Sequence, residues 1–232
     1  MGKPEIPICA KCGKRTCMNF GPPDSSIDVQ TVPDFCPMKT DSDLFIQALK
    51  EYGKADIKEF ARISSLQEAQ CYERVEGGMR TKIPRIEETI QFARKMNYKK
   101  LGLVFCIGLA NEALILCKML ENNGFEVASV CCKTGSISTE EVGLNREETI
   151  FGPDVYSTMC NSIGQALLMN RIEPDWVIMM GLCVGHDTLF LKYCERPVTV
   201  LAVKDRVLAH NPLAGIYLSG SIYYMRLMAG KK

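Results

Sequence analysis

Charge of one sign is missing from this sequence: 28 lysines and arginines stand against 27 aspartates and glutamates, a net charge of +1 over 232 residues. A chain so balanced has no bulk field to steer it to nucleic acid or an anionic membrane surface, so neither is expected as a partner. Long apolar runs are missing as well. The longest, Trp176 to Gly185 (WVIMMGLCVG), is about half the ~20 residues of a membrane helix and reads as a buried strand with its turn. The opening MGKPEIPICAKC has no apolar core of a signal peptide, and Ile6 stands where a myristoylation signal needs Ser or Thr. A cytoplasmic protein is expected. No GxGxxG follows a strand, and no phosphate-binding loop of the Walker type, HExxH or GxSxG is present, so nucleotide-dependent chemistry and serine hydrolysis have no support. Histidine is scarce, with two, and tryptophan scarcer, with one.

Cysteine is abundant instead: there are 12. Disulfide frameworks belong to short secreted chains, whereas a cytoplasmic chain of this length can bury a core without them. Thiols in this number point to metal ligation or redox chemistry, or to an anaerobic host where free thiols cost little.

The organisation predicts three segments. Residues 1–40 hold six of the 11 prolines with Gly13 and Gly21 and show no periodicity, the texture of an arm that needs something other than a core to order it. Residues 41–80 read as two helices, Asp41–Tyr52 and Lys54–Val75, the second stopped by Gly77-Gly78. From about residue 81 helices alternate with apolar strands at Leu101–Cys106, Phe125–Cys132, Trp176–Leu182 and Pro197–Val203, while about two dozen residues after Cys132 lack periodicity apart from a candidate capping box at Ser138–Glu141. The fold class predicted for 81–232 is α/β, a four-stranded doubly wound parallel sheet, preceded by the cysteine-rich arm and the helical segment. In such a sheet ligands bind beyond the carboxyl ends of the strands, where strand order reverses.

On that fold the cysteines fall into sets. Cys9, Cys12, Cys17 and Cys36 combine a CxxC with a third cysteine and a Cys-Pro; two thiolates from one turn can reach one ion, and a coreless arm would draw folding free energy from it. Tetrahedral thiolate sites suit zinc and iron–sulfur alike, and free surface thiols are the plainer alternative. Cys106, Cys131, Cys132, Cys160 and Cys183 would share the carboxyl edge of the sheet, where helix N-termini lower thiol pKa values. Their plainer alternative is packing, since free cysteine behaves as a small buried hydrophobe. Cys71, Cys117 and Cys194 read as packing. The same edge gathers His186, in GLCVGHD, and Lys204, Asp205, Arg206 and His210, in VKDRVLAHNP. These would donate protons or clamp an anionic substrate; a solvated helix start at His186 and an ion pair plus turn at Asp205-Arg206 are the alternatives.

The segments CAKCGKRTC, FCP, FCIGLANEA, CKTGSI, MCNSIGQA, GLCVGHDTLF and VKDRVLAHNPLAG resemble the uncharacterised cysteine-rich family catalogued as domain of unknown function 1847, found in anaerobic bacteria and archaea. The resemblance spans nearly the whole chain. It implies that Cys9, Cys12, Cys17 and Cys36 match the family's amino-terminal cysteines and that Cys106, Cys132, Cys160 and Cys183 match its motif cysteines, leaving Cys131 aside. Ser162 stands where the family pattern commonly has proline. No reaction comes with the resemblance.

The expectation is a cysteine-ligated metal or iron–sulfur protein with a redox or lyase-type activity, elimination or sulfur removal. Cys9, Cys12, Cys17 and Cys36 would bind a metal; Cys106, Cys132, Cys160 and Cys183 would bind a cofactor, a 4Fe-4S cluster with zinc as the alternative. His186, His210, Asp205 and Arg206 would be catalytic, acting on a small-molecule substrate or with an electron-transfer partner. Two other readings stand beside it: a zinc or soft-metal binding protein without turnover, and a thiol enzyme using Cys183 with only a structural metal in the arm.

Overall fold

A parallel strand covered on both faces has to be apolar throughout, and the stretch around Trp176 meets that demand at every position: Trp176 through Met180 are all buried. The computed structural model describes residues 6–18, 22 and 26–228. The chain divides into two compact units, within 1–66 and 67–232.

In the first unit the arm holds single turns in place of a core. Cys9–Lys11 is a 3-10 turn, as is Val29–Thr31, capped by the Asp28 side chain, which accepts the Gln30 N–H at 2.9 Å. Pro4, Gly21 and Pro23, part of the arm's expected irregularity, lie outside the described residues. Helix α1 (Pro37–Thr40) starts at a proline and α2 (Ser42–Tyr52) follows; α2 buries none of its residues, and Leu44, Phe45, Ile46 and Leu49 are all exposed. Helix α3 (Ala55–Gln70) runs across the boundary into the second unit.

The second unit opens on a difference from the sequence reading. Residues 72–75 do not continue the helix: β1 (Tyr72–Val75) pairs antiparallel with β2 (Gly78–Thr81). Gly77 and Gly78 take positive φ, 86° and 156°, and so turn a hairpin where a helix stop was expected. The Arg80–Glu73 ion pair at 2.5 Å joins residues directly opposite, which the cross-strand pairing favours.

Helix α4 (Arg85–Lys95) carries Phe92, which with Tyr98 and Trp176 forms an aromatic cluster with ring centroids 5.0–6.4 Å apart. Then come β3 (Lys100–Phe105), α5 (Ala110–Asn122), β4 (Glu126–Cys131), α6 (Ser162–Ile172), β5 (Trp176–Met180), α7 (His186–Tyr193), β6 (Val198–Ala202) and the short α8 (Leu213–Tyr217) and α9 (Met225–Met228). The four long-range strands form one parallel sheet in the order β4-β3-β5-β6. Right-handed crossovers moving first one way and then the other put α5 on one face and α6 with α7 on the other. The expected α/β class and doubly wound parallel sheet are what the chain forms.

Strand order reverses between β3 and β5, so the switch point lies beyond Phe105 and Met180. One face alternates Val104, Cys106, Val130, Cys132, Val177 and Met179, packed under Ala166 and Met169 of α6 and Phe190 of α7. The close fit shows at Gly102, where an added Cβ would lie 2.6 Å from the Met169 sulfur. Cys106 and Cys132 are thus the last inward positions of this face, at the end where the switch point opens.

Candidate thiolate site

The alternation that buries Val104 and Val130 carries Cys106 and Cys132 onto the same face one step past the strand ends. Cys160 arrives there from a distant stretch of chain, held by its neighbour. Asn161 donates its backbone N–H to Cys132 O (2.7 Å) and its side-chain amide to Thr134 O (3.0 Å), while its Oδ1 accepts the Gly164 N–H (2.9 Å) as the cap of α6. An isolated bridge between Ser138 and Thr158 closes the intervening loop upstream. That loop starts 3-10 turns at Thr139, capped by Ser138, and at Arg146, where Asn145 and Glu148 form the capping box expected nearer Ser138. Ser162 is the first helical residue, the position at which the family's proline would be tolerated. Cys183 follows β5 by way of Gly181, whose φ of +68° turns the chain.

Three of these thiols influence one another's ionisation: Cys132 lies near enough to both Cys106 and Cys160 to shift them. The contact with Cys132 is the largest influence on Cys106, whose thiol is lowered to about 5, with burial opposing and the Gly108 N–H and the Lys204 ammonium assisting. Cys160 is lowered to about 6, again chiefly by Cys132, with Lys133 and His186 assisting against burial. Cys132, placed between two thiols that ionise first, is pushed strongly upward and keeps its proton; the Ile107 N–H points at its sulfur at 3.3 Å. Cys183 lies near enough to feel the charges of Cys106 and Cys160. Burial raises it, although the Arg206 guanidinium donates to its sulfur at 3.0 Å. The lowered thiols at this edge are therefore Cys106 and Cys160.

The other expected residues are placed as follows. His186 begins α7 beside Cys160, and its Nδ1 is buried with no hydrogen-bond partner. Asp205 forms no ion pair with Arg206 among the described residues; its Oδ1 accepts the Val207 and Leu208 N–H groups at 3.0 and 2.9 Å and shapes the loop. His210 closes the same loop, its N–H reaching Asp205 O (2.9 Å) and its Nδ1 accepting the Asp205 N–H (3.1 Å), which leaves Nε2 to carry the ring proton. Ala209 and His210 both take positive φ, 49° and 63°, an uncommon pair for residues with a Cβ. Cys131 accepts the Lys133 N–H at 3.5 Å, and Cys71, Cys117 and Cys194 stand apart from the edge, with Gln67, Glu121 and the Arg196 carbonyl.

In the arm, Cys9 and Cys12 flank one 3-10 turn, Cys36 precedes α1, and Cys17 is exposed. Among the described residues no three His, Cys, Asp or Glu side chains are drawn together as a bound ion would hold them, in the arm or at the edge. The edge set nevertheless suits a thiophilic group by its donors and surroundings: thiols from four chain segments, with Lys204 and Arg206 against two of them. Ser162 Oγ, Gln165 Oε1 and His186 Nδ1 are buried polar atoms without partners in the segments that carry these thiols. Among the described residues the arm shows no comparable gathering.

Lys133, Asn161, Gln165 and Gly108 belong to the site's construction and were not singled out from the sequence. An Asn just before an apolar helical pattern is a capping signal that would have found Asn161. Gln165 is fully buried and donates to Phe105 O (3.2 Å) and Val130 O (2.8 Å), tying β3 to β4 just before the two cysteines. A polar residue in line with Ala166 and Met169 was its only trace.

A four-stranded parallel α/β sheet with cysteines at its carboxyl edge defines a class of cysteine-rich α/β protein. The sequence profile described as Protein of unknown function (DUF1847) matches residues 36–201, and the chain belongs to that family. It is also 37% identical over 223 residues to an uncharacterised protein of Methanocaldococcus jannaschii, covering 96% of this chain and 99% of that one. Cys36, Cys106, Cys132, Cys160 and Cys183 lie inside the profile match; Cys9, Cys12, Cys17 and the Lys204–His210 loop lie outside it. Among the described residues no helix is long and apolar enough to cross a membrane.

Proposed function

We propose that Cys106, Cys132, Cys160 and Cys183 form a thiolate centre for a soft metal or an iron–sulfur cluster, serving a redox or elimination reaction on a small molecule or with an electron-transfer partner. One observation carries the reading: Cys106 and Cys132 end the buried face of the sheet, and Cys160 and Cys183, from two other chain segments, pack against the same cluster. Packing alone gives no reason for lysine and arginine side chains to face two of those sulfurs. Bound there, an iron–sulfur core would supply electron transfer or a Lewis-acidic iron. The chain's own part is to keep Cys106 and Cys160 ionised and ready to ligate, and to offer the unpartnered His186 Nδ1 beside them as a proton acceptor or donor. His210 and Asp205 hold the loop that aims Lys204 and Arg206, so they act through that loop. Cys9, Cys12, Cys17 and Cys36 are proposed as a second, structural set that closes when metal binds.

Zinc without turnover is the second reading, favoured by the same donor set. The thiol-enzyme reading, if pursued, belongs to Cys106 or Cys160, since burial raises Cys183. Anaerobic purification with iron, sulfide and zinc analysis tests the proposal. Either about four irons with sulfide or about one zinc per centre is expected. A chain that holds neither and takes up neither on reconstitution overturns it.

A further inference from the structure

Lys204 reaches its place through a gap left by a missing side chain. A Cβ on Gly108 would stand 3.0 Å from the Lys204 Nζ and 3.9 Å from the Cys106 Sγ. Gly108 has no positive φ to explain its identity, so the space is the feature that a side chain would cost. Lys204 forms no ion pair with any carboxylate among the described residues, although it is only partly exposed. Two residues on, Arg206 donates to the Cys183 sulfur at 3.0 Å. Between them Asp205 turns to the backbone of its own loop and leaves both cations uncompensated by a carboxylate. One short segment thus sends alternate residues to the two cysteines that flank the switch point, at the ends of β3 and β5.

We propose that Lys204 and Arg206 are the counter-charge arm of the thiolate centre, positioning residues that fit it to a core of net charge two plus. This rests on the reading of the four cysteines as one centre. Four thiolates around a doubly charged core leave a net charge of minus two, which is costly to hold away from water. Two cations restore neutrality, and a divalent ion and an oxidised cubane cluster share that requirement. The arm therefore acts on the sulfurs and is not a free clamp for an anionic substrate.

Zinc binding to the metal-free full-length protein carrying Cys9→Ser, Cys12→Ser and Cys17→Ser, so that only the edge set can take the ion, measured by competition with a chromophoric chelator, tests this. Lys204→Met keeps the aliphatic stem and removes the charge, and should weaken zinc binding by about tenfold; Lys204→Arg should stay within about threefold of the wild type. Gly108→Ala, which displaces the ammonium, should resemble Lys204→Met, and Lys192→Met on the exposed face of α7 should change nothing. Wild-type affinity in Lys204→Met, folded and with its thiols reduced, overturns the counter-charge arm alone. A wild type that takes up neither zinc nor iron with sulfide overturns the thiolate centre, and the counter-charge pair with it.

Discussion

Lowering the pH from 8 to 6 should separate the thiols of the sheet edge from the rest of the chain. Alkylation proceeds through the thiolate, so each cysteine slows in proportion to its loss of ionised fraction, while access and intrinsic nucleophilicity cancel from the ratio. Cys160, lowered to about 6, goes from almost fully ionised at pH 8 to about half at pH 6, and its rate falls about twofold. Cys106, lowered to about 5, should fall less still, from a slower start because it is buried. Cys117 and Cys194 are raised above the ordinary thiol value of 9.0 by burial, so each falls about a hundredfold over the same interval. The sign follows from the cause: contacts that favour the anion hold it ionised as protons become more available. The assay is a timed pulse of isotope-coded iodoacetamide on metal-free protein at both pH values, read peptide by peptide. A hundredfold fall at Cys160, parallel to Cys194, would refute the mutual influence of Cys132 and Cys160.

Three further outcomes follow from the packing. Gln165→Leu removes both donors to Phe105 O and Val130 O and should cost about 1–3 kcal/mol, seen as a lower urea midpoint with an unchanged slope. Asn161→Ala should lose about 1 kcal/mol with the α6 cap, and it should also abolish the pH tolerance of Cys160, because Asn161 ties that segment to Cys132 O. Gly181→Ala combines a φ of +68° with a Cβ only 2.1 Å from Leu109 Cδ1, so a loss of roughly 2 kcal/mol or more in chemical denaturation is expected.

The sheet was legible because its strands are written as short apolar runs between helices, and the parallel arrangement makes every such run end at one edge. That is why the sequence alone places Cys106, Cys132 and Cys183 at one edge. The hairpin at 72–81 was not legible: Tyr72-Glu73-Arg74-Val75 is charged and continues a helical pattern, and only the pairing with Met79 and Arg80 reveals the strand. Leu44, Phe45 and Leu49 fall at helical spacing in α2, as an amphipathic helix would have them, yet all three are exposed. The partners of the thiols were hidden for another reason. Lys204 against Cys106 across Gly108, and Asn161 against Cys132, are contacts between distant segments that exist only once the strands are aligned.

On the function proposed here, the sheet edge is a thiolate centre by itself. Metal content per chain, compared between a Cys9→Ser/Cys12→Ser/Cys17→Ser variant and a Cys132→Ser variant after identical anaerobic reconstitution, tests it most directly. The edge centre should survive in the first and be lost in the second. Loss of all metal in the first, with full retention in the second, would contradict it.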